Sequence, residues 1–163
     1  MNARDAIKAS FAMPDQICRG YLNDLTDADL LVRPVPKANH IAWQLGHLIT
    51  AEHEFIDALC PGLAPALPAG FKAKHEKAKA ESDNPKDFYT KAEYLKLYDQ
   101  VRAASLKAVD TVSESDYDKP GPEKFRAYCP TVSSVLMMAP GHWMMHAGQW
   151  AIVRRKLGKP PLF

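Results

Sequence analysis

Apolar residues recur at spacings of three and four along most of this chain, and that period belongs to helices. Ile7, Phe11, Pro14, Cys18, Tyr21 and Leu25 form a first stripe between about Ala3 and Leu25. An interior proline removes a backbone hydrogen bond and crowds the preceding turn, so a kink is predicted near Ser10 to Pro14. Thr26-Asp27-Ala28-Asp29 reads as an N-cap with an acidic first turn for a short helix through Leu31, which Arg33-Pro34-Val35-Pro36 stops. A second long helix is predicted from an Asn39 cap to about Leu59, with Ile41, Leu45, Leu48, Phe55 and Leu59 as its stripe. His47 falls on the flank of that stripe with Gln44, Ala51 and Glu54. Glu52 falls inside it, where a carboxylate needs a partner or a metal.

From Pro61 to about Tyr89 the periodicity lapses, and the stretch reads as a crossover connection within a bundle. Thr90-x-x-Glu93 is a capping box that opens a helix with Tyr94, Tyr98, Val101, Ser105, Ala108 and Val112 on one side. A second loop covers Tyr117 to Pro130. Thr131 then caps a last helix to about Leu157, with Gly158 as the residue that ends it and Arg154, Arg155 and Lys156 suiting its dipole. No strand pattern competes. The expected fold is all-α, a four-helix bundle with a long crossover connection, formed by residues 1–163 as a single domain.

The last helix carries an anomaly. Its predicted stripe is Val135, Met138, His142, His146, Gln149 and Val153, with two histidines in the middle, where a core helix ordinarily places Leu or Ile. They are four residues apart, one turn, so both imidazoles leave the same face. Buried imidazoles need partners, either hydrogen bonds from the protein or a metal. With His47 they would make three nitrogens, the count used by open catalytic zinc sites. Pro140-Gly141 directly before His142 predicts a bend and a close helix approach, and a large bend would carry His142 away from His146. Glu54 is a candidate acid or base, and Gln149 a candidate donor lining the site. The ordinary reading of Glu54 is a surface carboxylate. His40, His53 and His75 are expected in solvent, and Met137, Met138, Met144 and Met145 are expected as core filler.

Composition narrows the classes. At 163 residues the chain can bury roughly 70% of its unfolded surface. Twenty-one basic residues against 19 acidic ones leave a net charge of +2, too little to argue for nucleic acid. The Lys72 to Lys79 cluster is interrupted by Glu76 and has no interleaved aromatics. Three scattered cysteines, Cys18, Cys60 and Cys129, suggest a reducing compartment, and no stretch of about 18 apolar residues suggests a membrane span. A cytoplasmic protein acting on a small molecule is expected. There is no nucleophile elbow, Walker loop, His-Glu-x-x-His or dinucleotide fingerprint.

His47 within Trp43-Gln44-Leu45-Gly46-His47-Leu48, then His142-x3-His146-Ala147-Gly148-Gln149, then a closing Arg154-Arg155-Lys156-Leu157-Gly158-Lys159-Pro160-Pro161, resembles the DinB/YfiT-like superfamily. The Leu25 to Leu30 turn and the Arg33-Pro34 exit are similar too. The resemblance spans essentially the whole chain. It implies a four-helix bundle with a divalent metal, commonly zinc or nickel, held by His47, His142 and His146, and it admits a homodimer. It also implies activities: transfer of low-molecular-weight thiols such as bacillithiol, mycothiol or a glutathione-type thiol, or metal-dependent hydrolysis. A non-catalytic bundle in a stress response is the reading from a different class. Physically, a three-histidine site can bind a thiol and make thiolate, or bind water and activate it.

Overall fold

The structure, a computed structural model, describes residues 1–162 as six α-helices: α1 (Ala3–Ser10), α2 (Ala12–Asn23), α3 (Ile41–Leu59), α4 (Phe71–Lys74), α5 (Lys91–Thr111) and α6 (Val132–Lys156). Short 3₁₀ turns punctuate the connections, and the sole bridge among the described residues pairs Pro120 with Thr131. Four arms make the bundle. The first is α1 and α2 in series, broken at Phe11 as Pro14 foretells. It packs on α6 and α5, and α3 packs on both of those from the other side. None of the described helices is long and apolar enough to cross a membrane.

Local chemistry sets the helix ends. Thr90 and Glu93 form the reciprocal capping box that opens α5, and Thr131 caps α6 through the backbone N–H of Ser134. Gly158 adopts φ +70° just past α6, in the left-handed region that costs glycine nothing. Arg154, read from the sequence as a dipole partner, is buried. Its guanidinium donates to the Tyr21 carbonyl at 3.0 Å and to Asp24, tying the end of α6 to the end of α2.

The crossover between α3 and α5 is not a solvated loop. Phe71 and His75 are buried, and the His75 ring lies against Gly46 of α3. A Cβ at Gly46 would stand 2.0–2.2 Å from three atoms of that ring. The ring has no room to retreat, because Nδ1 donates to the Phe71 carbonyl at 2.8 Å and Nε2 meets the Tyr94 hydroxyl at 2.7 Å. His75 therefore pins the crossover onto the bundle rather than lying in solvent.

Other residues also depart from expectation. His40, and not Asn39, caps α3: its Nδ1 accepts from the Trp43 N–H at 3.1 Å and its Nε2 donates to the Ser82 carbonyl at 2.9 Å, so the ring is buried. His53 is half-buried, with Nδ1 screened from water. Met137 and Met145 are exposed on the outer face of α6, and a Cβ at Gly141 would meet nothing within 4 Å, so neither core filling nor close helix approach explains these residues.

Glu52 does sit in the core, and it finds partners. Its carboxylate accepts from Ser105 at 2.6 Å, from the Trp143 indole at 2.6 Å and from Arg102 at 3.4 Å. The Arg102 guanidinium lies over the rings of Phe11 (4.7 Å) and Tyr98 (5.1 Å), which adds cation–π attraction.

Candidate metal centre

The buried centre of α6 is Trp143, Ala147 and Trp150, flanked by Ala139, Pro140 and Arg154. His142 and His146 lie at the edge of this face and are half-buried, not at its middle as the periodicity predicts. Two indoles seven residues apart claim the interior, because burying a tryptophan removes more apolar surface from water than burying an imidazole. The shift leaves the histidines facing the edge of α3.

His47 is there, also half-buried, and the three histidines each offer a ring nitrogen within 4.8 Å of the others. His47 Nε2 and His142 Nε2 are 3.2 Å apart. Two nitrogens about 2.05 Å from one tetrahedral ion stand about 3.3 Å apart, so this pair matches ligand geometry. Ring centroids are separated by 5.0 Å for His47–His142, 4.9 Å for His142–His146 and 5.5 Å for His47–His146. The helix runs through Pro140 unbroken, so the proline does not separate the two histidines of α6.

The surroundings hold the rings in place. The Trp43 indole stacks on His47 at 5.0 Å and 6°, and its N–H donates to the Glu76 carbonyl at 3.2 Å in the crossover. Gln44, fully buried, presents Oε1 to His146 Nδ1 at 2.9 Å and to the Trp150 indole N–H at 2.8 Å. Gln149 is exposed and accepts from Gln44 Nε2 at 3.1 Å, so it touches the site only through Gln44. Glu54 is not in the cluster. Its carboxylate pairs with Lys124 at 2.6 Å and more distantly with Lys72 at 3.9 Å. The importance of Gln44 has one local signal in the sequence, its place on the same flank of α3 as His47, one turn before it. Its partners lie on α6 and are not foreseen.

Burial keeps the imidazoles neutral. His142 and His146 are lowered from the ordinary 6.5 to about 4, by desolvation first and then by neighbouring imidazoles. Desolvation lowers His47 as well, with the Glu54 charge opposing it. His75 is brought down to about 4, again chiefly by burial. Neutral imidazoles at His47, His142 and His146 each keep one ring nitrogen that can serve a cation at neutral pH, whereas both nitrogens of His75 are engaged by Phe71 and Tyr94.

A histidine whose folded value lies below its unfolded one favours the fold fully above the unfolded value, and loses that contribution as pH falls through the interval. Without metal, the urea midpoint is expected to hold above about pH 6.5 and to drop progressively toward pH 4. Carboxylates held low, such as Asp15 beside Arg19 and Tyr98, act below that window. A midpoint flat from pH 7 to 4.5, followed by tryptophan fluorescence, would contradict buried neutral imidazoles.

The fold and site define a class: a helical bundle whose three-histidine cluster is compatible with a divalent metal site. The chain belongs to the DinB superfamily, whose sequence model matches residues 16–150. A crystal structure described as the conserved protein of a locus from Enterococcus faecalis is similar in fold, with a TM-score of 0.72 at 16% identity over 98% of this chain and 99% of that one. At that identity the likeness speaks to fold alone. No curated protein matches the chain.

Proposed function

We propose that this protein is a divalent-metal-dependent transferase that activates a low-molecular-weight thiol toward a small electrophile, with His47, His142 and His146 holding zinc or nickel. The observation that carries the reading is the convergence of three neutral imidazoles at a half-buried edge between α3 and α6. An ion bound there supplies Lewis acidity, which lowers the pKa of a thiol or water that reaches it. Three uncharged ligands leave the cation's charge uncompensated, and so favour an anionic fourth partner. Trp43 stacks on one face of His47 and holds the ring in place.

Three histidines serve thiol or water alike, and the lean toward thiol comes from the family resemblance and from acidity. Among the described residues the group within ligand distance consists of histidines, and Glu54 beside it is engaged by Lys124. A thiol starts near pKa 8.5 and water near 15.7, so a thiol needs far less help to ionise. Bacillithiol, mycothiol and glutathione-type thiols are the family's candidates, and metal-dependent hydrolysis is the alternative use of the same ligands.

The test is turnover of a fluorogenic electrophile by the zinc-loaded protein, with and without added thiol. Thiol-dependent turnover, abolished by chelator, is expected. Hydrolysis of ester or amide substrates without thiol would move the assignment to the alternative, and a metal-binding protein inert in both assays would be a non-catalytic bundle.

A further inference from the structure

Gln44 sits in the α3–α6 interface with every hydrogen-bonding position of its amide used. Oε1 meets the Trp150 indole nitrogen at 2.8 Å and His146 Nδ1 at 2.9 Å. Nε2 meets the Asn39 carbonyl at 2.6 Å and Gln149 Oε1 at 3.1 Å. An indole N–H can only donate and a backbone carbonyl can only accept. Trp150 therefore requires an oxygen and Asn39 requires an NH₂, and the two together define which end of the Gln44 amide is which. The oxygen facing His146 can only accept.

The geometry points to Gln44 as the positioning residue that presets His146 for a cation. Nδ1 must carry the proton, so Nε2 is left as the nitrogen with a lone pair for the cluster. This is the arrangement that orients histidine ligands generally, with an outer acceptor on the N–H opposite the ligating nitrogen. His47 and His142 differ from His146 in this respect. Among the described residues no hydrogen bond engages their Nδ1 atoms, and their Nε2 atoms face one another at 3.2 Å. Of the three imidazoles, His146 is thus the one whose tautomer the protein itself dictates, through a chain of contacts running from Trp150 and Asn39 through Gln44.

The assignment rests on the metal-site reading for its effect on ion affinity, whereas the tautomer belongs to the metal-free chain and is tested without any ion. Long-range ¹H–¹⁵N correlation spectra of ¹⁵N-histidine-labelled, chelator-treated wild-type protein at pH 7.5 should show His146 protonated at Nδ1. Protonation at Nε2 would overturn the inference whatever the variants do. Q44L, matched in size but unable to accept, should release the tautomer and weaken zinc binding about 10- to 100-fold in competition with a chromophoric chelator. Q44E should preserve the Nδ1-protonated tautomer, since a carboxyl oxygen accepts from Trp150 and His146 in either protonation state. A folded Q44L with wild-type tautomer and affinity would also overturn it. Should wild-type His146 be protonated at Nδ1 while the protein binds no zinc, the role of Gln44 stands and the metal reading falls.

Discussion

Replacing His142 and His146 together by alanine is expected to abolish stoichiometric metal binding while leaving the bundle folded. Each is one of only three nitrogens in the cluster. Outer partners of metal ligands already cost 10- to 100-fold when removed, so losing two ligands should weaken binding by well over about 100-fold. The fold should persist because both side chains sit at the half-buried edge of α6, and the Trp143, Ala147 and Trp150 centre is untouched. Gln44 Oε1 keeps its bond from Trp150. Metal content by plasma mass spectrometry reads the first effect and circular dichroism the second. A further readout follows from linkage: at 100 times its Kd, a metal that binds only the native state adds about 2.7 kcal/mol of stability. Zinc should therefore raise the melting temperature of the wild type and leave the double variant unmoved. Full metal retention in the double variant would remove the three-histidine site.

Arg102→Met is expected to destabilise the protein by about 3–5 kcal/mol near pH 8, the range for stranding one partner of a buried ion pair. Glu52 is 1% exposed and Arg102 7% exposed at their side chains, so water cannot replace the lost charge. Burial pushes the Glu52 carboxyl above the usual range, against the pull of Arg102, Ser105 and Trp143. A carboxyl with a raised folded pKa takes up its proton more readily in the folded state than in the unfolded one. Its favourable contribution is present at low pH and is lost as pH rises through the folded value. Removing Arg102 raises that value further. The penalty should accordingly shrink as pH falls toward 5.5, and Glu52→Gln in the same background should recover much of it at pH 8. Urea denaturation at the two pH values measures this. A loss under about 1 kcal/mol, equal at both, would mean that the pair carries no net charge interaction.

Both predictions concern residues that the sequence singles out, Glu52 for its place in an apolar stripe and the histidine pair for its spacing. The stripe of α6 shows the limit of that kind of reasoning. Periodicity centres it on His142 and His146, yet the structure centres it on Trp143, Ala147 and Trp150. A period places residues on one face but does not say which neighbouring stripe the partner helices will cover. The size of the two indoles decides that. His40 and His75 are the same lesson from the connections. Both look like solvent histidines in polar surroundings, and both are buried because a carbonyl or hydroxyl from a distant segment meets each ring.

What the sequence by itself determines is local: the break ahead of Pro14, the Thr90 and Thr131 caps, the glycine stop at Gly158, the helical class and the shared face of His142 and His146. Each depends on residues within about one turn of one another, where backbone geometry leaves little choice. What only the tertiary structure decides is the meeting of His47 with that pair, the capture of His146 by Gln44, and the seating of His75 on Gly46. These join residues 29 to 102 positions apart. They depend on how α3 packs against α6 and the crossover, and helix packing is set by the combined shape of many side chains rather than by any spacing along one of them.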